Sequence, residues 1–200
     1  MTNGNSLKRI CVFCGSSSGA RQIYTAGAQK LGKAIVSHGM SLVYGGGSIG
    51  LMGIIADAVL KERGEVIGVL PQFLSVKEFA HQGLTELRLV SSMHERKAIM
   101  AELADAFIAM PGGFGTFDEL FEIITWAQLE LHEKPIGLLN VDGYFDLLLA
   151  FIDHVSKERF VQPKHNQLIV TSDDPHKLLA ALIRSKPLQP PSKPIDLKEA

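Results

Sequence analysis

Short runs of β-branched and aliphatic residues alternate with longer stretches of helical pattern, and this alternation restricts the fold more than any other feature of the chain. The apolar runs lie at 9–14, 41–47, 65–71, 86–91, 105–111, 134–140 and 166–172; the second ends in a glycine turn, and the third is stopped by Pro71. Helical patterns fill 24–39, 50–64, 93–104, 117–131, 144–158 and 174–185, with glycine closing the first two. An irregular stretch, QFLSVKEFAHQGLT, separates the third and fourth runs. Strands that are apolar throughout are buried on both faces. Repeated βα alternation of such strands therefore predicts an α/β fold, a mostly parallel sheet with helices on both sides.

At 200 residues the chain suits one domain with a proper core. We read residues 1–185 as that domain. The remainder, KPLQPPSKPIDLKEA (186–200), is proline-rich and charged and reads as a mobile tail. Twenty basic residues against 21 acidic ones leave a net charge of −1. That balance carries no electrostatic footprint for nucleic acid or an anionic membrane. No apolar run reaches transmembrane length, and the polar N-terminus lacks the apolar core of a signal peptide, so the expected compartment is the cytoplasm.

Cys11 and Cys14 form a C-x-x-C inside a strand-like run. Their side chains should point to opposite faces of the sheet, which favours packing over redox or zinc chemistry. No second cysteine pair exists to complete a thiolate site, and no metal or cofactor is expected.

Ligands of an open parallel sheet bind beyond the carboxyl ends of its strands. Three segments should fall on that edge. In YGGGSIGLMG, Gly45, Gly47 and Gly50 satisfy G-x-G-x-x-G between a strand and a helix, and with Gly46 they could cradle a phosphate or simply make a tight turn. A dinucleotide site also wants an acid at the end of the next strand. Glu65 has the sequence spacing but begins its strand, on the opposite edge.

The second segment is PGGFGTFDE (111–119). Gly112, Gly113 and Gly115 would let a ligand approach the backbone. Thr116 can act as N-cap with Glu119 three residues later, a capping box. Glu119 is thus either a cap or a carboxylate with chemistry to do. The third segment is MHERK (93–97). Glu95, Arg96 and Lys97 read as a solvated face; at the ligand edge, however, Arg96 and Lys97 would suit a phosphate, one as a fork and the other as a point charge. His94 has no partner at metal-binding spacing.

Taken together, MHERK, PGGFGTFDE and the upstream GGGSIGLMG resemble the LOG (Lonely Guy) family of cytokinin riboside 5′-monophosphate phosphoribohydrolases, many of whose members carry a lysine decarboxylase label. The resemblance runs from about Lys8 to about Arg184. It implies a Rossmann-like three-layer α/β/α fold, a homodimer, and cleavage of a nucleoside 5′-monophosphate, AMP or an N6-modified AMP, into free base and ribose 5-phosphate. Carried over by motif, Arg96 and Glu119 are the catalytic pair. Glu78, Lys97, Gly113, Phe114, Gly115, Thr116 and Thr125 join the glycines at 45–47 as substrate contacts. On this reading the phosphate is held by the glycine-opened helix, while Glu119 faces the ribose and its oxocarbenium-like transition state. The apolar helix around Trp126 is either dimer interface or core. A non-catalytic binder such as a molybdenum-cofactor carrier is the alternative on the same fold. An NAD-dependent oxidoreductase lacks its ribose acid, and nothing marks a lysine for pyridoxal phosphate.

Overall fold

All seven apolar runs pair side by side in one sheet, and every pairing between strands is parallel. The computed structural model describes residues 7–75 and 80–185. The strands are β1 (Arg9–Phe13), β2 (Ser41–Tyr44), β3 (Val66–Pro71), β4 (Glu86–Val90), β5 (Ala106–Ala109), β6 (Ile136–Leu139) and β7 (Ile169–Ser172). The helices are α1 (Gln22–Ser37), α2 (Gly50–Lys61), a single turn α3 (Gln72–Ser75), α4 (Met93–Leu103), α5 (Phe114–Gln128), α6 (Asp146–Lys157) and α7 (Pro175–Arg184).

Strand order is β4-β3-β2-β1-β5-β6-β7. The chain builds outward from β1 to β4, then returns through α4 and restarts on the other side of β1. The order reverses between β1 and β5, and that reversal opens a crevice at their carboxyl ends.

Two apolar layers hold the sheet. On one face Ile10, Val12 and Cys14 of the β1 segment pack with Leu31 and Ile35 of α1, Ile55 of α2 and Leu178 of α7. On the other, Cys11 and Phe13 pack with Met100 of α4, Leu120 and Ile123 of α5, and Phe107. The two cysteines therefore do face opposite ways. Both are free and buried, and burial pushes both thiols well above their ordinary range. Helix α1 ends where Gly39 was expected to end it. Gly39 is left-handed (φ +70°), and the Gly39 and Met40 N–H groups close back on Val36 and Ile35.

Three expectations are corrected. The last strand begins at Ile169 rather than 166, because Pro163 opens a 3₁₀ turn that runs to Leu168. The outermost strand β4 is largely exposed instead of buried on both faces, since nothing pairs with its outer edge among the described residues. Helix α5 begins at Phe114, not at 117, with Gly113 as N-cap. Thr116 therefore lies inside the first turn and Glu119 is too far along the helix for a capping box. The expected tail at 186–200 lies outside the described residues.

Candidate active site

The crevice at the reversal is floored by three loops that interlock through their backbones. The Gly15 N–H donates to the Pro111 carbonyl (3.1 Å), joining the loop after β1 to the loop after β5. The Leu51 N–H donates to the Gly15 carbonyl (3.0 Å), joining the first turn of α2 to the same point. These approaches need bare backbone. A β-carbon on Gly50 would collide with Ser16, and one on Gly112 with Thr116 and with the Gly15 nitrogen at 2.9 Å. The loop after β1, GSSSGAR, was not read as part of a site from sequence. Its signal was the same as that of the other two: a glycine and small polar residues directly after a buried strand.

Helix ends sort into two kinds. Helices α4 and α7 are capped by side chains, Ser92 and Asp174. Helices α2 and α5 have no side-chain cap and no acid in the first turn. At α5 the N-cap Gly113 and the first two helical residues, Phe114 and Gly115, are exposed, while Thr116 is buried. The Phe117 N–H is the first to be satisfied within the helix, by the Gly113 carbonyl at 3.1 Å. An exposed helix N-terminus with free N–H groups and no acid of its own favours negative charge. Tyr144 braces this turn: its hydroxyl donates to the Gly112 carbonyl at 2.5 Å.

Arg96 and Glu119 meet beneath this turn. Helix α4 starts beyond the outer edge of the sheet but crosses under β3, β2 and β1 on its way to β5. That crossing carries Arg96 inward. Its Nη1 donates to Glu119 Oε1 at 3.1 Å, its Nε to the Val69 carbonyl at 3.1 Å, and its Nη2 to the Gly45 carbonyl at 3.4 Å. Arg96 is 9% exposed and Glu119 8%. Burial raises the Glu119 carboxyl above its ordinary range, and the Arg96 charge offsets this only in part. The result is a carboxyl with unusual proton affinity, held in one orientation at the edge of a crevice.

The rest of MHERK divides its labour. Glu95, expected on a solvated face, is exposed and caps the helix. Ser92 Oγ accepts from the Glu95 N–H (3.1 Å), and Glu95 reaches back to the Ser91 N–H (2.7 Å) and hydroxyl (2.6 Å). His94 is exposed. Lys97 is held between Glu122 (3.0 Å) and Asp118 (3.2 Å) of α5. Burial lowers its pKa, but those two carboxylates outweigh it and raise the group overall. Lys97 thus clamps α4 to α5, and its charge is already matched. The partners Asp118 and Glu122 were missed from sequence because only the packing of two helices brings them to Lys97.

Other expected contacts are dispersed. Gly45, Gly46 and Gly47 are all buried. Gly46 is left-handed (φ +75°), its carbonyl accepts from the His81 N–H, and Gly47 bridges to Ala80. Thr125 is exposed on the outward side of α5, about 120° around the helix from Glu119. Its hydroxyl donates to the Phe121 carbonyl (2.7 Å), and it lines an open groove with Phe114, Phe117, Phe121 and Trp126. Trp126 also packs against the inner core layer, so this helix is part core and part open surface. Glu78 lies outside the described residues. Among the described residues no three histidine, cysteine or acidic side chains gather as a metal site, and no helix is long and apolar enough to cross a membrane.

Comparison with known proteins follows the same lines. A family model described as "Possible lysine decarboxylase" matches residues 52–182. A rice (Oryza sativa subsp. japonica) protein named "Probable cytokinin riboside 5'-monophosphate phosphoribohydrolase LOGL9" is 53% identical over 88% of this chain and 78% of its own length. An Arabidopsis thaliana protein, "Cytokinin riboside 5'-monophosphate phosphoribohydrolase LOG3", is 49% identical over 89% of this chain and 83% of its own. Among solved structures, the molybdenum cofactor binding protein of Rippkaea orientalis superposes with a TM-score of 0.67 over 88% of this chain and 97% of that one. At 23% identity it shares the fold alone. With its signature residues gathered at one crevice and half its sequence shared with these plant proteins, the chain belongs to the LOG family, the family of cytokinin riboside 5′-monophosphate phosphoribohydrolases.

Proposed function

We propose that this protein hydrolyses the N-glycosidic bond of a nucleoside 5′-monophosphate, AMP or an N6-modified AMP of the cytokinin riboside type, releasing the base and ribose 5-phosphate. One observation carries the reading: a buried Arg96–Glu119 pair (3.1 Å) lies below the uncapped N-terminus of α5.

The substrate's two ends need opposite electrostatics. The phosphate goes to the exposed turn at Gly113–Gly115 and to the Thr116 N–H, where the helix dipole favours negative charge. A ribose separates the phosphate from the anomeric carbon, and Glu119 sits about a turn deeper in the same helix. As the C1′–N bond breaks, its electron pair leaves with the base and positive charge spreads over C1′ and the ring oxygen. A carboxylate in a dry pocket stabilises that charge far better than one in water. Water then bonds to C1′ and gives one proton to Glu119, whose raised proton affinity suits a general base. That proton ends on the released base. Arg96 holds Glu119 in the orientation both steps require.

The reading extends to a homodimer working in the cytoplasm on a soluble nucleotide, with no nucleic acid, membrane, metal or cofactor. Support for the dimer is a run of bare apolar side chains on α5 and α6: Phe114 is 95% exposed, Leu147 87% and Phe151 59%. Thr125, turned away from Glu119, could reach a nucleotide only in a second copy packed on this side.

The test is base release, followed by chromatography, from AMP and N6-isopentenyladenosine monophosphate beside the two nucleosides. The reading requires base from monophosphates and none from nucleosides. If neither monophosphate is cleaved while both bind, the protein is a nucleotide binder rather than a hydrolase.

A further inference from the structure

Gly45 sits at the end of β2, and its place in G-x-G-x-x-G suggests a phosphate turn. Its surroundings give it a different task. The backbone there is not left-handed; of the three consecutive glycines described, only Gly46 has that conformation. An alanine could adopt the Gly45 backbone without strain. What it could not do is share the space, because its β-carbon would fall on Arg96 Nη2 and lie 3.3 Å from Met52 Sδ. The nearest obstacle is the end of a flexible side chain, so the fold would survive and the guanidinium would move.

We infer that Gly45 is a positioning residue: the bare backbone at the end of β2 is the slot in which the Arg96 guanidinium lies, and through it the orientation of Glu119 is set. The slot has three walls. The Gly45 carbonyl takes Nη2 (3.4 Å), the Val69 carbonyl within the neighbouring β3 takes Nε (3.1 Å), and Glu119 takes Nη1 (3.1 Å). Two backbone carbonyls of adjacent strand segments thus hold one face of the guanidinium fork so that its remaining arm meets the carboxylate. A side chain at residue 45 drives the fork out of this seat. The inference rests on the catalytic pair proposed above and adds the residue that orients it.

The charged and titratable groups acting on Glu119 are Arg96 and Lys97 from α4, Asp118 and Glu122 from its own helix, and the Cys11 and Cys14 thiols from β1. Of these, residue 45 touches only Arg96. Moving Arg96 away removes the main influence that lowers the Glu119 pKa, so the carboxyl should titrate higher still.

The experiment is a double-mutant cycle of Gly45→Ala and Arg96→Ala in the full chain, with three readouts. The first is kcat and KM for base release from a nucleoside monophosphate. The second is the Glu119 carboxyl titration by ¹³C NMR, assigned with Glu119→Gln. The third is the melting temperature. We expect Gly45→Ala to lower kcat about 10²-fold, the scale of one lost electrostatic contact, with KM changed less than about threefold. The Glu119 titration should move upward, and Gly45→Ala should change neither readout further in the Arg96→Ala background, because the two substitutions act through one group. The inference is overturned if KM rises with kcat intact, as for a phosphate cradle, or if the effects of the two substitutions add. An unmoved titration overturns it as well. If Gly45→Ala does not fold, adding Arg96→Lys should restore folding by emptying the slot, and failure of that rescue also overturns it. The NMR arm needs no turnover, so it decides the inference even if the proposed hydrolase activity is absent.

Discussion

Ser92–Glu95 and Thr116–Glu119 are the same four-residue pattern, a hydroxyl side chain with a glutamate three residues on, and each stands at the start of a helix on the same side of the sheet. One is a cap and the other is half of a buried ion pair. In α4 the helix begins one residue after Ser92, so both side chains turn back on the first turn and stay in solvent. In α5 the helix begins at Phe114, before the threonine, because Gly113 takes the N-cap position and Thr116 packs down against Gly112. Glu119 is moved into the second turn and onto the face that meets the core. Three residues of helix start separate a capping carboxylate from a buried, ion-paired one.

The largest effect that would sharpen this contrast is on turnover. Glu119→Gln should lower kcat by about 10³-fold, since it removes both the charge and the base while keeping the shape. Its effect on stability should depend on pH. The folded pKa of Glu119 is raised, so as pH climbs above its ordinary 4.5 the unfolded chain releases this proton before the folded one does. Stability therefore falls as pH rises through that window, and levels off above the folded pKa. Glu119→Gln removes that slope. Denaturant melts of both forms across pH should show the variant gaining on the parent as pH rises; parallel curves would mean that Glu119 is a solvated cap after all.

Arg96→Ala comes next. It leaves a buried carboxylate without its cation, which should cost about 3 kcal/mol of stability at neutral pH as well as most of the activity. A loss below about 1 kcal/mol in urea melts would place the pair at the surface, on a par with exposed ion pairs. Ser92→Ala should behave in the opposite sense. It should lose about 1 kcal/mol of stability, the usual worth of an N-cap, with kcat unchanged. Glu95, held by the Ser91 hydroxyl and N–H, has a lowered pKa. Its contribution is present at neutral pH and is lost only as pH falls through that lowered value, the reverse of Glu119. The smallest effect should come from Tyr44→Phe. Its buried hydroxyl has no partner among the described residues, so the substitution should leave the melting temperature unchanged or slightly raised.

Most of the architecture was legible along the chain. All seven strand runs and the six long helices follow from apolar pattern and glycine or proline stops, because those signals are local. The places where local reading failed are instructive. Helix α5 is expected three residues late because Thr116 followed by Glu119 reads as a capping box; Gly113 takes the N-cap position instead, and Thr116 packs against Gly112. The triglycine left a phosphate cradle and a tight turn both open, because the motif describes backbone freedom and says nothing of what fills the space. The loop after β1 has a glycine and small polar residues like the other two but no recognised motif, so only the strand order, which brings it beside Pro111, marks its place in the crevice.

By itself the sequence determined that this chain makes a parallel α/β sheet with a ligand edge, and through its paired signatures it determined the family. Only the tertiary structure decided which of the two glutamates is buried against an arginine and which caps a helix, and that the Arg96 guanidinium lies against Gly45. The reason is range. Capping, turn and strand signals act over a few residues, whereas Arg96 is 23 residues from Glu119, 27 from Val69 and 51 from Gly45. The crossing of α4 beneath the sheet brings the four together and takes them out of water, and burial is what changes the proton affinity of a carboxylate.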